Sequence, residues 1–583
     1  MESFIEFVSD IRIIQCVCRK RASEAAKRHT LHHKRAISCD YKVKNPDLDI
    51  YDITPPRRQW IRLGEKRRYR RHKGLKQNRS SLDIARESLL LTIRHDLEHN
   101  PNKPYLIKLK EFIGSVKNNI QDPTFKLSSP VTIPILKKKN LIGPDEYRPI
   151  SLYENLTDAI IIILANHYLS RLFDEFFYED SLAFRPKRIF HGKKTITTHH
   201  HAISLILGYL NRVGARNVYV AECDMQKFYD TVDHKVVERE YERLITKAKL
   251  KYPDLSFDQI NRVFKSYLDS YTFTSNVFGK NTNKEFWDSF KVENGYFGWV
   301  SELSKIASQD TPDNLQVGVP QGGAISGLIA NIVLNQVDDT ITPNLHYSND
   351  LYIRYCDDMI LLSTNKQRAN KLFRLYNKTV RNANLYIHTP SPLKFGTKDF
   401  WKAKTRCTYH WILDNNKQVG SCWIGFVGYE MNRRGDVRIR KSSVRKEILK
   451  QRKVIKELFK LVYKKQRVSD SSMIASYQNT LISMSVGRVT LWNYASLKND
   501  LCWINGFKML NDNPYVKTQI RYLDRCRNRT IQIATNRLCR LNSKIQGTIS
   551  KEGNWENCNE SLSYYGKPFS YYCHYEKNLN EEL

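Results

Sequence analysis

Residues 351–363 read LYIRYCDDMILLS, two short apolar runs separated only by Cys356, Asp357 and Asp358. Runs of this length around a turn are the strands of a hairpin, so the chain has to build at least one buried antiparallel pair here. Aspartate is common in turns for purely local reasons. Adjacent carboxylates in a tight turn also make an oxygen-rich ledge for a hard divalent cation such as Mg²⁺. The hairpin alone does not separate these two roles; a second carboxylate elsewhere and a sign of a phosphate-bearing substrate are needed.

The second carboxylate lies in NVYVAECDMQKFYDTVDH, residues 217–234. Val218 to Cys223 reads as a buried strand closed by Asp224, and Asp233 can cap a helix running through HKVVEREYERL. A strand-closing aspartate can equally be a plain helix cap. With the two strands adjacent in one sheet, Asp224 and Asp357 face each other and hold a pair of Mg²⁺ ions roughly 4 Å apart, suited to in-line phosphoryl transfer. Between the two lies VGVPQGGAISGLIANIVLNQVDD, residues 317–339. Its Gly318, Gly322 and Gly323 permit close backbone approach, and the apolar run after them reads as a helix under a sheet. The net charge of +35 over 583 residues points to a polyanionic partner, nucleic acid or an anionic surface. The first residues carry early acids and lack a signal-peptide layout, and no apolar run reads as a membrane span. None of the 12 cysteines forms a Cys-x-x-Cys pair. The expectation is a soluble cytoplasmic protein with reduced thiols and no membrane partner.

Two further segments, TIPILKKKNLIGPDEYRPISL (132–152) and SLAFRPKR (181–188), complete an ordered set that resembles the reverse transcriptases over roughly residues 130–440. The aromatic-x-Asp-Asp tetrapeptide, Tyr355 to Asp358, is typical of that family. The resemblance implies an α+β right-hand polymerase: fingers, a palm with an antiparallel sheet and a helical thumb, with basic N-terminal and helical C-terminal extensions. It implies Asp224, Asp357 and Asp358 as the catalytic carboxylates holding two Mg²⁺ ions, for which Mn²⁺ can substitute. Gln321 matches the residue beside the incoming nucleotide and template. Arg148 matches the finger arginine on the triphosphate, with Lys138, or its neighbours Lys137 or Lys139, as its partner. A planar guanidinium fork and an ammonium suit a triphosphate that stays anionic with Mg²⁺ bound. Tyr229 matches the aromatic residue against the nucleotide sugar, where a ribose 2′-hydroxyl would collide, so deoxynucleoside triphosphates are the implied substrate. Lys394 is a possible general acid for pyrophosphate, although its surroundings depart from the family pattern. GFVGYEMNRRGDVRIRKSS, residues 425–443, resembles the primer-grip hairpin and the entry to the thumb.

The implied domains are a basic extension over 1–100, fingers and the start of the palm over 101–216, and the palm over 217–435 with an insertion near 240–312. A helical thumb and extension follow over 436–545, and a Tyr-rich tail over 546–583. Within the first, RRQWIRLGEKRRYRRHKGLKQNR (57–79) interleaves Trp60 and Tyr69 with cations, a composition for phosphate contact and base stacking. In the tail, Tyr564, Tyr565, Tyr571, Tyr572 and Tyr575 offer hydroxyls for protein priming, or rings for packing and stacking. The primer-grip stretch most resembles bacterial defence-associated, abortive-infection-like reverse transcriptases. That implies a dedicated non-coding RNA template, a DNA product acting against phage, and homo-oligomers. The alternatives are a maturase-like RNA-binding protein of a retroelement, an RNA polymerase, or a template-independent DNA polymerase.

Overall fold

The computed structural model describes residues 1–33, 49–64, 69–72, 75–78, 81–140, 142–186, 188–190, 193–309, 315–392, 397–413, 423–463 and 506–545. The chain divides into two compact units, one of residues 1–198 and 218–410, the other of residues 199–217 and 411–583. Lys394 and the Tyr-rich tail lie outside the described residues, as does much of the 57–79 stretch. Two short hairpins, β1–β2 (Tyr69–His72, Leu75–Asn78) and β5–β6 (Arg188–Phe190, Lys193–Thr195), stand apart from the sheets described next.

The first unit is organised by a four-stranded antiparallel sheet in the order β11 (Arg406–His410), β7 (Tyr219–Cys223), β10 (Asp358–Ser363), β9 (Asp350–Tyr355). Strands β9 and β10 are buried along nearly their whole length, which is why they read as continuous apolar runs rather than alternating ones. One cover is the helix Lys366–Asn382, packed on β7, β10 and β11. Its Ala369, Leu372, Phe373, Tyr376 and Val380 form the buried stripe. A second helix, Ser326–Ile341, packs on the first and supplies Asn331, Asn335 and Asp338 as buried polar positions.

The segment before the sheet forms the hairpin of β3 (Val131–Lys138) and β4 (Asp145–Leu152), in which Ile135 pairs with Arg148. A third strand, β8 (Gly295–Phe297), pairs parallel with β4 through Asp145–Gly295, Glu146–Tyr296 and Tyr147–Phe297. This strand falls within residues 240–312, the stretch read from sequence as an insertion. Its aromatic cluster of Tyr271, Phe273, Trp287 and Phe297 packs with Tyr147 of β4. A Cβ at Gly295 would sit 2.4 Å from the Trp287 ring, so only glycine lets the indole lie on that strand.

Two sequence readings change. Helix Leu156–Phe173, capped by Asn155 accepting from the amides of Thr157 and Asp158, is long and apolar enough to cross a bilayer. It is a core helix instead: Ile160, Ile161, Leu164, Ala165, Tyr168 and Leu169 are fully buried. Trp60, expected to stack on bases, is also buried. Its indole donates to the Pro55 carbonyl at 2.9 Å, and the buried Arg21 guanidinium lies 5.3 Å from its ring and 3.9 Å from that of Tyr51. Cation–π packing and core burial account for this aromatic in a basic stretch.

In the second unit, β12 (Ile424–Phe426), β13 (Tyr429–Met431) and β14 (Val437–Ile439) form a meander. The free edge of β14 is not left open. Asn511 accepts from the Val437 amide and Asn513 donates to its carbonyl, while Gln519 does both for Ile439. Side-chain amides thus satisfy an edge that would otherwise offer a pairing template. Helices Lys441–Tyr463 and Pro514–Ile545 pack on each other.

Candidate active site

The β9–β10 ladder pairs Tyr355 with Asp358, so the hairpin loop is only Cys356 and Asp357. Cys356 has φ +61°, the positive value at the first loop position that a type II′ turn requires and that glycine ordinarily supplies. A non-glycine residue there costs on the order of 1 kcal/mol or more, and has to be held by its surroundings. Two contacts hold it: Tyr229 Oη lies 3.2 Å from Cys356 Sγ, and Arg354 donates to the Cys356 carbonyl at 3.2 Å.

The partner ladder ends with Met359 paired to Cys223, which leaves Asp358 and Asp224 as the next residues at the same end of the sheet. Burial pushes the Asp357 carboxyl above its ordinary range, with the Asp224 charge adding to the rise while Cys356 and Lys404 offset part of it. Asp224 is fixed through its backbone. The Thr405 hydroxyl, 3.2 Å from each, accepts from the Asp224 amide and donates to its carbonyl, which also accepts from the His388 amide. Its carboxylate is left to face Lys404 Nζ at 3.0 Å and His388 Nε2 at 3.7 Å. Burial and the Lys404 charge hold His388 below its ordinary value, so the neutral ring accepts from Lys404 at 3.0 Å.

These residues fit a divalent ion of the Mg²⁺ kind. The carboxylates are partly buried at the end of the sheet, Asp357 feels the charge of Asp224, and the Lys404 ammonium on Asp224 occupies the place that a divalent ion would take over. Among the described residues no group of three or more His, Cys, Asp or Glu side chains is placed to hold a metal ion by itself. Mg²⁺ does not need one, because it keeps waters and takes substrate phosphate oxygens alongside one or two carboxylates.

The glycine loop runs beside the segment after Asp224. Val319 donates to the Tyr229 carbonyl and Gly318 to that of Val232, both at 2.7 Å. Gly318 has φ +92° with Phe273 Cβ 2.8 Å from where its own Cβ would be, and a Cβ on Gly323 would strike the Tyr267 hydroxyl. Gln321 is held at both ends: its carbonyl accepts from the Ser151 amide of β4 at 2.9 Å, and its Nε2 donates to Asp230 Oδ1 at 2.5 Å. The other oxygen of the buried Asp230 has no hydrogen-bond partner among the described residues. Burial pushes that carboxyl up to about 6, against the pull of Lys227, Gln321, Lys137 and Arg148. Gly322 lies against Ile150, two residues from Arg148 on β4.

Arg148 and Lys138 are exposed on the β3–β4 hairpin. Of the three consecutive lysines, Lys137 is tied to Glu146 at 2.8 Å, and Lys227 reaches the same oxygen at 3.1 Å. The structure therefore gathers Asp224, Asp357 and Asp358 at the end of one sheet, and Tyr229 and Gln321 along one loop pair joined to β4. Lys404, His388, Thr405, Asp230 and Arg354 were not singled out from sequence. Asp230, beside Tyr229, and Arg354, beside Tyr355, both lie within quoted motifs, but nothing local to either marks its role.

Residues 135–390 match the family "Reverse transcriptase (RNA-dependent DNA polymerase)". The match places a domain of this family, of mixed helix and sheet content, over that part of the chain. No curated protein matches the sequence. Among solved structures, apo telomerase from Candida tropicalis aligns at 12% identity over 70% of this chain with a TM-score of 0.33. Telomerase from Candida albicans in complex with a TWJ fragment of telomeric RNA aligns at 12% identity over 79% of this chain and 68% of its own, with a TM-score of 0.31. This chain spans 60% of the length of the C. tropicalis protein.

Proposed function

We propose that the chain extends a primer hydroxyl with deoxynucleoside triphosphates on an RNA template, in a right-hand polymerase arrangement. The observation that carries this reading is the β10–β7 register, whose last pair, Met359 with Cys223, brings Asp358 and Asp357 to the same end of the sheet as Asp224. Asp224 and Asp357, with Asp358 beside them, would hold the two divalent ions. When bound, such ions activate the attacking hydroxyl and stabilise the leaving oxygen. The chain's own residues do the positioning. Arg148, with Lys138 near it on the hairpin, grips the triphosphate and offsets charge on the departing pyrophosphate. Gln321, clamped by Asp230 and Ser151, lines the nucleotide site. The Tyr229 ring, pinned by Cys356, closes the space that a 2′-hydroxyl would take. The bond from the primer oxygen to the α-phosphorus forms as the bond to pyrophosphate breaks.

The finer reading is a dedicated non-coding RNA template and a role in antiphage defence. It is supported by the resemblance of the GFVGYEMNRRGDVRIRKSS stretch and by the net charge of +35. The test is primer extension by the full chain on RNA with Mg²⁺ and labelled deoxynucleotides or ribonucleotides. Extension with deoxynucleotides supports the function, and extension with ribonucleotides alone refutes it. Sequencing the copurifying nucleic acid tests the template: one abundant structured RNA supports the finer reading, and an unselected mixture refutes it.

A further inference from the structure

Arg354 is among the largest fully buried side chains of the protein, at 0% exposure, and every nitrogen of its guanidinium is used. Nε donates to both oxygens of the equally buried Asp338, at 3.0 and 3.1 Å. Nη2 donates to Asp338 and, at 2.8 Å, to the Ser181 hydroxyl. Nη1 donates to Asn331 Oδ1 at 3.3 Å and to the Cys356 carbonyl at 3.2 Å. The surrounding acceptors are themselves fixed. The Tyr352 hydroxyl donates to Asp338 at 2.8 Å, Ser181 Oγ donates to Asn331 at 3.2 Å, and Asn331 Nδ2 donates to the Ala183 carbonyl at 2.8 Å.

A buried ion pair is weak evidence of stability, since well-packed apolar side chains of similar volume often serve as well or better. Stability alone is therefore weak grounds for a five-residue polar network in this core. The contact that apolar residues could not reproduce is the one to Cys356. That carbonyl belongs to the peptide plane joining Cys356 to Asp357, in a two-residue turn whose first position carries φ +61°. Rotating that plane turns the Asp357 Cα–Cβ bond with it; Asp357 has no ladder partner, and the bonds its carboxyl makes to Cys356 and to its own amide lie inside the same turn.

We propose that Arg354 is a positioning residue: its guanidinium, set at a fixed angle by Asp338, Asn331 and Ser181, locks the Cys356–Asp357 peptide and so keeps the Asp357 carboxylate aimed toward Asp224. The inference rests on the reading that these two carboxylates hold a divalent ion. Lysine in place of Arg354 keeps the positive charge beside Asp338 but lacks the fork that spans from Asp338 to the Cys356 carbonyl.

The experiment is Mn²⁺ titration of the full chain, followed by the electron paramagnetic resonance of the free ion, together with thermal unfolding and the Mg²⁺ dependence of primer extension. R354K is expected to weaken Mn²⁺ binding at least tenfold and raise the half-saturating Mg²⁺ by a similar factor. Its deoxynucleotide KM at saturating Mg²⁺ should stay within about threefold of the native value. D338N keeps the shape and can still accept from Tyr352 and Arg354 but removes the counter-charge of a buried guanidinium, so it should unfold at a lower temperature and show a smaller shift of Mn²⁺ affinity in the same direction. The positioning role is overturned if R354K or D338N lowers the unfolding temperature while Mn²⁺ affinity and Mg²⁺ requirement stay native. It is equally overturned if R354K fails to fold and D338N binds Mn²⁺ as the native chain does. A native chain that binds no Mn²⁺ and extends no primer refutes the function itself.

Discussion

Replacing Asp230 with asparagine should stabilise the chain at about pH 8 and change its stability little at about pH 4. Asp230 is 2% exposed, one oxygen accepts from Gln321, and the other has no hydrogen-bond partner among the described residues. Burial raises the carboxyl from 3.8 to about 6. A folded-state pKa above the unfolded value means the native state binds more protons between those two pH values, so stability falls as pH rises through the window of about 4 to 6. The penalty is fully present above it, and at 1.36 kcal/mol per unit it comes to about 3 kcal/mol. The amide introduced in D230N carries no charge and its oxygen can still accept from Gln321, so the variant escapes the penalty. Urea unfolding of both proteins at the two pH values is the assay. Equal stability differences at both, or a less stable D230N at pH 8, would show that Lys227, Lys137 and Arg148 fully compensate the buried charge, and the reasoning would fail.

Truncating Tyr229 to Ala should open the sugar site and relax the preference for deoxynucleotides over ribonucleotides by roughly ten- to two-hundredfold, read from the two kcat/KM values; unchanged preference would remove Tyr229 from that role. Truncating Trp287 to Ala should cost about 3 to 5 kcal/mol, because the buried indole fills the space over Gly295 and donates to the Lys280 carbonyl. Because β8 pairs with the strand carrying Arg148, deoxynucleotide KM should also rise in W287A. A destabilised W287A with native KM would confine the insertion to folding.

Local pattern made part of this architecture legible. The apolar runs around Asp357 and Asp358 became β9 and β10, Val218 to Cys223 became β7, and Asp233 caps the next helix by accepting from the Lys235 amide. Each of these is decided by neighbours within a few residues. What sequence did not show depends on distant partners. The entry to β11 brings Lys404 and Thr405 to Asp224 from about 180 residues away, and the pairing of β11 with β7 is interrupted by a register shift, so its alternation is irregular. β8 joins β4 across a similar gulf. Trp60 looked like a stacking residue because the cations flanking it in sequence are conspicuous, whereas the cation that packs on it, Arg21, comes from another helix. Arg354 looked like one more basic residue, because its counter-charge Asp338 belongs to a different element.

The most direct test of the central claim is sequencing of the DNA made by the full chain on an RNA template of defined mixed sequence with Mg²⁺, beside D224A and D357A. The account expects product complementary to the RNA, with each variant slower by roughly a thousandfold or more, several kcal/mol of lost transition-state stabilisation, and still folded by circular dichroism. Untemplated product, or native rates in either variant, would contradict it.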